Sequence, residues 1–130
     1  MKNLNILVVE GNIPEDTEVF VRAAGASASV NLKNLVLRLE PSSNIKIINP
    51  DRDEETIEAL KSMNNYDGII FTGGAMRLND MTEEIKKHID FAANCFKSKN
   101  KILAICWGLQ VCSAAGGGKI APGKMEHILG

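Results

Sequence analysis

An apolar run in this chain is interrupted at a cysteine. Residues 102–105, Ile-Leu-Ala-Ile, read as a short buried strand, and apolar character resumes only after the small-residue break Cys106-Trp107-Gly108. A strand that turns straight into a helix holds the residue at the turn strained and exposed above the sheet, where a nucleophile is needed. Gly108 lets the backbone pass close by. A helix starting about Trp107 would aim unpaired N–H groups and the positive end of its dipole at the sulfur, favouring the anionic form. The chemistry this suits is attack of a thiolate on an electrophilic carbon. The competing reading of any lone cysteine, a small buried hydrophobe, is the one taken for Cys95 and Cys112.

A second break follows Ile69-Ile70-Phe71, which opens onto Thr72-Gly73-Gly74-Ala75. Paired glycines after a buried strand let backbone N–H groups approach a ligand, although a turn needing positive φ explains most such pairs. Glu10, just past the first apolar strand, falls at the carboxyl edge of the sheet, where open α/β folds place ligands. A solvated turn residue is the favoured reading there. The acidic run at residues 51–55 reads as helix capping and first-turn carboxylates rather than a metal site. His88, beside Lys86 and Lys87 and four residues after Glu84, reads as a solvated or Glu84-paired surface histidine. Gly116-Gly117-Gly118-Lys119 lacks the Ser/Thr and the preceding strand of a phosphate loop, and reads as a helix cap and turn.

The elbow residues resemble a known family. Cys106, Gly108 and Gln110 match the Gly-x-Cys-x-Gly-x-Gln pattern of class I glutamine amidotransferases, with Ala104 where glycine is usual. The segment Asp-Gly-Ile-Ile-Phe-Thr-Gly-Gly at residues 67–74 resembles the family segment ending Ser-Gly-Gly-Pro, with Ala75 in place of proline. The combination is most like the amidotransferase of GMP synthase. The resemblance implies that Cys106 attacks the side-chain amide of glutamine, releasing ammonia and leaving a γ-glutamyl thioester for water to cleave. It implies an oxyanion hole from N–H groups of Trp107 and of Gly73 or Gly74, and substrate binding at Gln110, Thr72 and Gly108. It also implies a partner synthase or ligase that receives the ammonia, and no cofactor or metal.

The family carries its base as His-x-Glu well beyond the elbow, and neither His88 nor His127 lies in such a motif. The expectation is a single domain at residues 1–130 that is a C-terminally incomplete fragment. The missing motif is also compatible with an inactive natural truncation, or with His127 acting as a substitute base. Two further readings stay open. A DJ-1/PfpI-like protein shares the sheet and cysteine elbow and could set Glu10 beside the thiol, though Gln110 argues against it. A degenerate domain that only binds a partner is the non-enzymatic alternative.

These residues need elements to hold them. Residues 4–9 and 45–48 read as nearly continuous apolar strands, the pattern of strands covered on both faces. Pro14 opens a helix with Val19, Phe20, Ala23 and Ala24 inside, and Leu32, Leu35, Val36 and Leu39 give a second, closed by Pro41. A third helix carries Ile57, Leu60 and Met63. Thr82 caps a fourth, with Ile85, Ile89, Ala92 and Phe96 buried and Glu83/Lys87 as an exposed pair. A small-residue helix, Val111 to Ala115, follows the elbow. The alternation of strands and helices predicts an α/β, flavodoxin-like three-layer fold, a mostly parallel sheet with helices on both faces. Glu10, Thr72 and Cys106 would then converge on one edge.

With 130 residues, 45% hydrophobic and 24% charged, the chain has the composition of one folded domain. A net charge of -1 with interspersed signs offers no footprint for nucleic acid or an anionic membrane. The start runs directly into a strand, with no signal-peptide or spanning segment, which predicts a cytosolic protein. Three cysteines without paired spacing support neither a disulfide framework nor a zinc site.

Overall fold

The structure, a computed structural model, describes residues 3–118; the expectations for Lys119 and His127 lie outside them. Four parallel strands, β1 (Asn5–Val9), β2 (Asn44–Ile48), β3 (Gly68–Phe71) and β4 (Lys101–Ala104), form one sheet in the order β2-β1-β3-β4. Among the described residues five α-helices accompany them: α1 (Pro14–Ala24), α2 (Ala28–Leu39), α3 (Asp53–Lys61), α4 (Glu83–Lys97) and α5 (Trp107–Ala115). The chain steps from β1 to β2 in one direction and then back across β1 to β3 and β4. Right-handed crossovers therefore put α1 and α2 on one face and α3 and α4 on the other, where α5 packs against α4. This is the expected flavodoxin-like α/β architecture. Among the described residues, no helix is long and apolar enough to cross a membrane.

The register brings the functional loops together. Val9 pairs with Ile48 and with Phe71, and Phe71 pairs with Ala104. Each ladder runs one residue further: the Glu10 N–H donates to the Ile48 carbonyl, Thr72 to Val9 and Ile105 to Phe71. Glu10, Thr72 and Cys106 consequently leave the sheet at one edge, as strand order alone requires.

The core lies on one face. Leu7, Val9, Ile69 and Phe71 point toward Ile85, Phe91, Ala92 and Cys95 of α4 and Trp107, Val111 and Cys112 of α5. Side chains of this size contribute about 1.5–3 kcal/mol each when fully buried. The other face is thinly covered. α1 has no buried residue, and Val19 is 65% exposed, so its expected interior stripe is corrected: Val19, Phe20 and Ala23 face an open cavity. Leu35 and Leu39 of α2 are likewise exposed.

The fourth helix is also rotated from its expected setting. Its buried stripe is Ile85, His88, Ala92 and Cys95 with Phe91, while Phe96 is exposed. Both stripes obey helical spacing, and only the docking of α5 against α4 selects between them. Lys87 pairs with Asp53 of α3 rather than with Glu83, which takes Lys86. Thr82 does cap α4, its hydroxyl accepting from the Ile85 N–H at 3.3 Å. Asp53, Glu54 and Glu55 occupy the first turn of α3 as expected.

Candidate active site

Cys106 is the junction between β4 and α5, and its backbone sits at φ 49°, ψ −110°. Positive φ is costly for a residue with a Cβ, of order 1–3 kcal/mol, and persists only when the surroundings enforce it. The enforcement is visible on both sides. The Ile105 N–H is held by the Phe71 carbonyl at 3.0 Å, and the Leu109 and Gln110 N–H groups close on the Cys106 carbonyl at 3.0 and 3.2 Å. Helix α5 can reach in this close because of Gly108: a Cβ there would stand 2.6 Å from the Phe71 carbonyl oxygen and 2.7 Å from its Cβ. The side chain of Cys106 is left exposed, whereas Cys95 and Cys112 are buried.

The facing loop is held just as closely. A Cβ on Gly73 would lie 3.6 Å from the Cys106 Cβ, which places the Gly73 backbone directly across from the thiol. Cβ atoms on Gly11 or Gly74 would run into each other's segments, Gly11 against the Gly73 carbonyl and Gly74 against the Gly11 carbonyl. The two loops are then stitched together by side chains. The Gly11 N–H donates to Thr72 Oγ1 at 2.8 Å, and the Ala75 N–H donates to Asn12 Oδ1 at 2.8 Å.

Thr72 is buried, and its hydroxyl lies 3.2 Å from Glu10 Oε2 and 3.0 Å from the Gly73 carbonyl. Its role in the structure is therefore to fasten the glycine loop. Glu10 is 3% exposed rather than a solvated turn residue. Its carboxylate also accepts from the Ser29 N–H at 3.2 Å, and burial holds its pKa above the ordinary value despite these bonds. The Glu10 carboxylate is bonded to Thr72 and Ser29, and it lines a cavity with Ser27, Ser29 and Arg52 rather than the one over Cys106.

A cavity of about 520 Å³ opens over Cys106. Gly73, Gly74 and Ala75 form one wall, and α1 supplies Asp16, Val19, Phe20 and Ala23 to the other. Trp107 is buried at the first position of α5, where its N–H has no carbonyl one turn back to bond. The Gly108 N–H, by contrast, is taken by the Ile105 carbonyl at 2.9 Å. Gln110 is half-buried one turn along α5 and is not among the described residues that line this cavity. Among the described residues, no cluster of His, Cys, Asp or Glu could hold a metal ion.

The histidine of α4 departs from its surface reading. His88 is buried, with Nε2 3.2 Å from Asp51 Oδ2 and its ring edge-on to Trp107, centroids 6.2 Å apart. Sequence reasoning also passed over Asn12 and Asn49. The available signal was an Asn in the loop just after each of the first two strands, one or two residues ahead of a proline.

The arrangement is a strained, exposed thiol at a helix N-terminus, facing a glycine-lined backbone wall across an apolar cavity. The model of the family described as Glutamine amidotransferase class-I matches residues 21–130. A Pseudomonas protein, Gamma-glutamyl-L-1-hydroxyisopropylamide hydrolase, is 27% identical over 125 residues. The match covers 96% of this chain and 42% of that relative, so the chain spans less than half the relative's length. No solved structure matches it.

Proposed function

The chain belongs to the class I glutamine amidotransferase family, and from that membership we propose that it hydrolyses γ-glutamyl amides through a thioester on Cys106. The observation that carries the reading is the backbone of Cys106, held at positive φ with its side chain exposed opposite Gly73. The sulfur attacks the γ-carbonyl carbon, and the C–N bond breaks as the amine leaves with a proton. Water then cleaves the C–S bond, giving glutamate and free Cys106. The N–H of Trp107 and one from Gly73 or Gly74 hold the oxyanion of each tetrahedral intermediate, a donor typically worth about 10²–10³ in rate. Thr72 and Gly108 support these walls, and Gln110 is assigned to the amino-acid end of the substrate by its match to the family pattern alone, since it does not line the cavity over Cys106.

His88, the one histidine among the described residues, is committed to Asp51. The proton for the leaving amine is therefore handled by a group other than His88, and the test uses the full-length protein. With glutamine as substrate, the product is ammonia, and transfer to a synthase such as GMP synthase is the corresponding partner reading. The roomy, largely apolar cavity favours a second substrate, an N-alkyl γ-glutamyl amide, the kind of compound in the name of the Pseudomonas relative. Its alkyl group would lie against Val19, Phe20 and Ala23.

Glutamate release from glutamine and from γ-glutamyl isopropylamide, with Cys106→Ala as control, separates these readings. A higher kcat/KM for the isopropylamide supports the second reading, and a higher value for glutamine supports the first. Release of glutamate that survives Cys106→Ala rules out both.

A further inference from the structure

Trp107 touches two other segments. A Cβ on Gly74 would stand 3.0 Å from the indole Cδ1, so the indole rests directly on the glycine loop, and the His88 ring of α4 packs edge-on to it. His88 is in turn fixed by Asp51, and the Asp51 N–H donates to Asn49 Oδ1 at 2.9 Å. Asn49 Nδ2 donates to the Asn12 carbonyl at 3.1 Å, and Asn12 Oδ1 accepts from the Ala75 N–H, next to Gly74. The contacts thus form a closed circuit, from Gly74 through Trp107, His88, Asp51, Asn49 and Asn12 back to Ala75.

We propose that this circuit, with the buried His88–Asp51 pair as its far side, sets the spacing between the two backbone walls of the oxyanion hole. The inference rests on the thioester reading above, since Trp107 and Gly73 or Gly74 are its donors. Three physical points support it. The circuit passes through both donor segments, which belong to different elements and have no covalent reason to keep a fixed separation. A buried His–Asp pair is a poor way to gain stability, because apolar side chains of similar volume usually do as well. Finally, donors must hold their positions within a fraction of an ångström, which demands a supporting shell of this type. His88, Asp51 and Asn49 are positioning residues and touch no reacting atom.

The test is kinetic, on the full-length protein. In His88→Ala, kcat for the γ-glutamyl amide falls about tenfold with KM within about twofold, the pattern of displaced transition-state donors. In the 130-residue chain, whose single tryptophan is Trp107, the same substitution shifts the emission to the red. Asn49→Ala, on the opposite arm of the circuit, gives the same kcat-selective loss. Met63→Ala, a core truncation outside the circuit, lowers Tm and leaves kcat in place.

A kcat within about twofold of wild type in His88→Ala overturns the inference; where that variant fails to fold, the same result in Asn49→Ala does so. An equal kcat loss in Met63→Ala also overturns it, by making the effect one of general destabilisation. Wild-type protein that releases no glutamate and leaves Cys106 unlabelled by a γ-glutamyl diazoketone sinks the thioester reading as well. Failure of the inference alone leaves wild-type turnover and Cys106 labelling intact.

Discussion

The three cysteines differ in the one property that governs thiol chemistry, access to water. Burial pushes the Cys95 thiol up to about 12, with Cys112 adding to it, and the Cys112 thiol up to about 11. Both are inert near neutral pH, whereas Cys106 is exposed. Iodoacetamide at pH 7 is expected to modify Cys106 in the native protein and spare the other two, as peptide mass mapping would show. Comparable modification of Cys95 would contradict the packing of α4 on α5. The glycines opposite make a second prediction. Gly73→Ala adds a methyl at ordinary contact distance from Cys106, so the fold survives while turnover drops. Gly74→Ala drives a methyl into the Gly11 backbone, so stability falls as well. Melting curves beside glutamate release distinguish the two, and a Gly73→Ala protein that loses Tm as Gly74→Ala does would refute the arrangement.

Elements are placed here by close approach and by caps. Helix α5 crosses β3 with Gly108 against the Phe71 carbonyl, a contact that leaves no room for a side chain. Gly108→Ala is expected to cost about 1–3 kcal/mol, the usual penalty for overpacking, and to disturb the elbow with it. Thr82→Ala removes the N-terminal cap of α4, a bond from the Ile85 N–H and not one to the elbow, and should cost about 1 kcal/mol while leaving the Cys106 turn in place. Urea unfolding of both variants, with activity measured in parallel, tests the distinction: loss of activity per unit of lost stability should be larger for Gly108→Ala. Helices α1 and α2 are different in kind. Their apolar side chains border a cavity more than they fill a core, which explains why hydrophobic spacing on α1 was a poor guide to burial.

Across the whole molecule, the two faces of the sheet carry unequal loads. The face under α3, α4 and α5 holds the continuous core, while Leu103, on an edge strand of the sheet, is 56% exposed. A buried carboxyl sits on the lightly covered side, and its linkage to stability has a definite sign. Burial raises the folded-state pKa of Glu10 above its ordinary 4.5, so between those values the folded chain binds more protons than the unfolded one. Stability from this group is complete below pH 4.5 and is lost as pH rises through the folded value. Glu10→Gln keeps an acceptor for Thr72 and Ser29 and removes the charge. Its Tm is therefore expected to decline less than that of wild type as the pH rises above 4.5. A variant whose decline matches that of wild type would show that the Glu10 environment is not as described.

Much of this protein is legible in its residues. The apolar strands, the Gly73-Gly74 pair and the Cys106-x-Gly108-x-Gln110 spacing were enough to indicate a parallel sheet with a thiol and a glycine loop on one edge, because strand length, turn type and strand order are set locally or by a small menu of crossovers. What tertiary packing alone decided is which of two helical stripes on α4 faces inward, and hence that His88 is a buried partner of Asp51 and Trp107. It also decided that Glu10 is enclosed and that α1 lines a cavity. Those outcomes depend on which elements meet, and residue type and spacing along one segment carry no information about the segment packed against it.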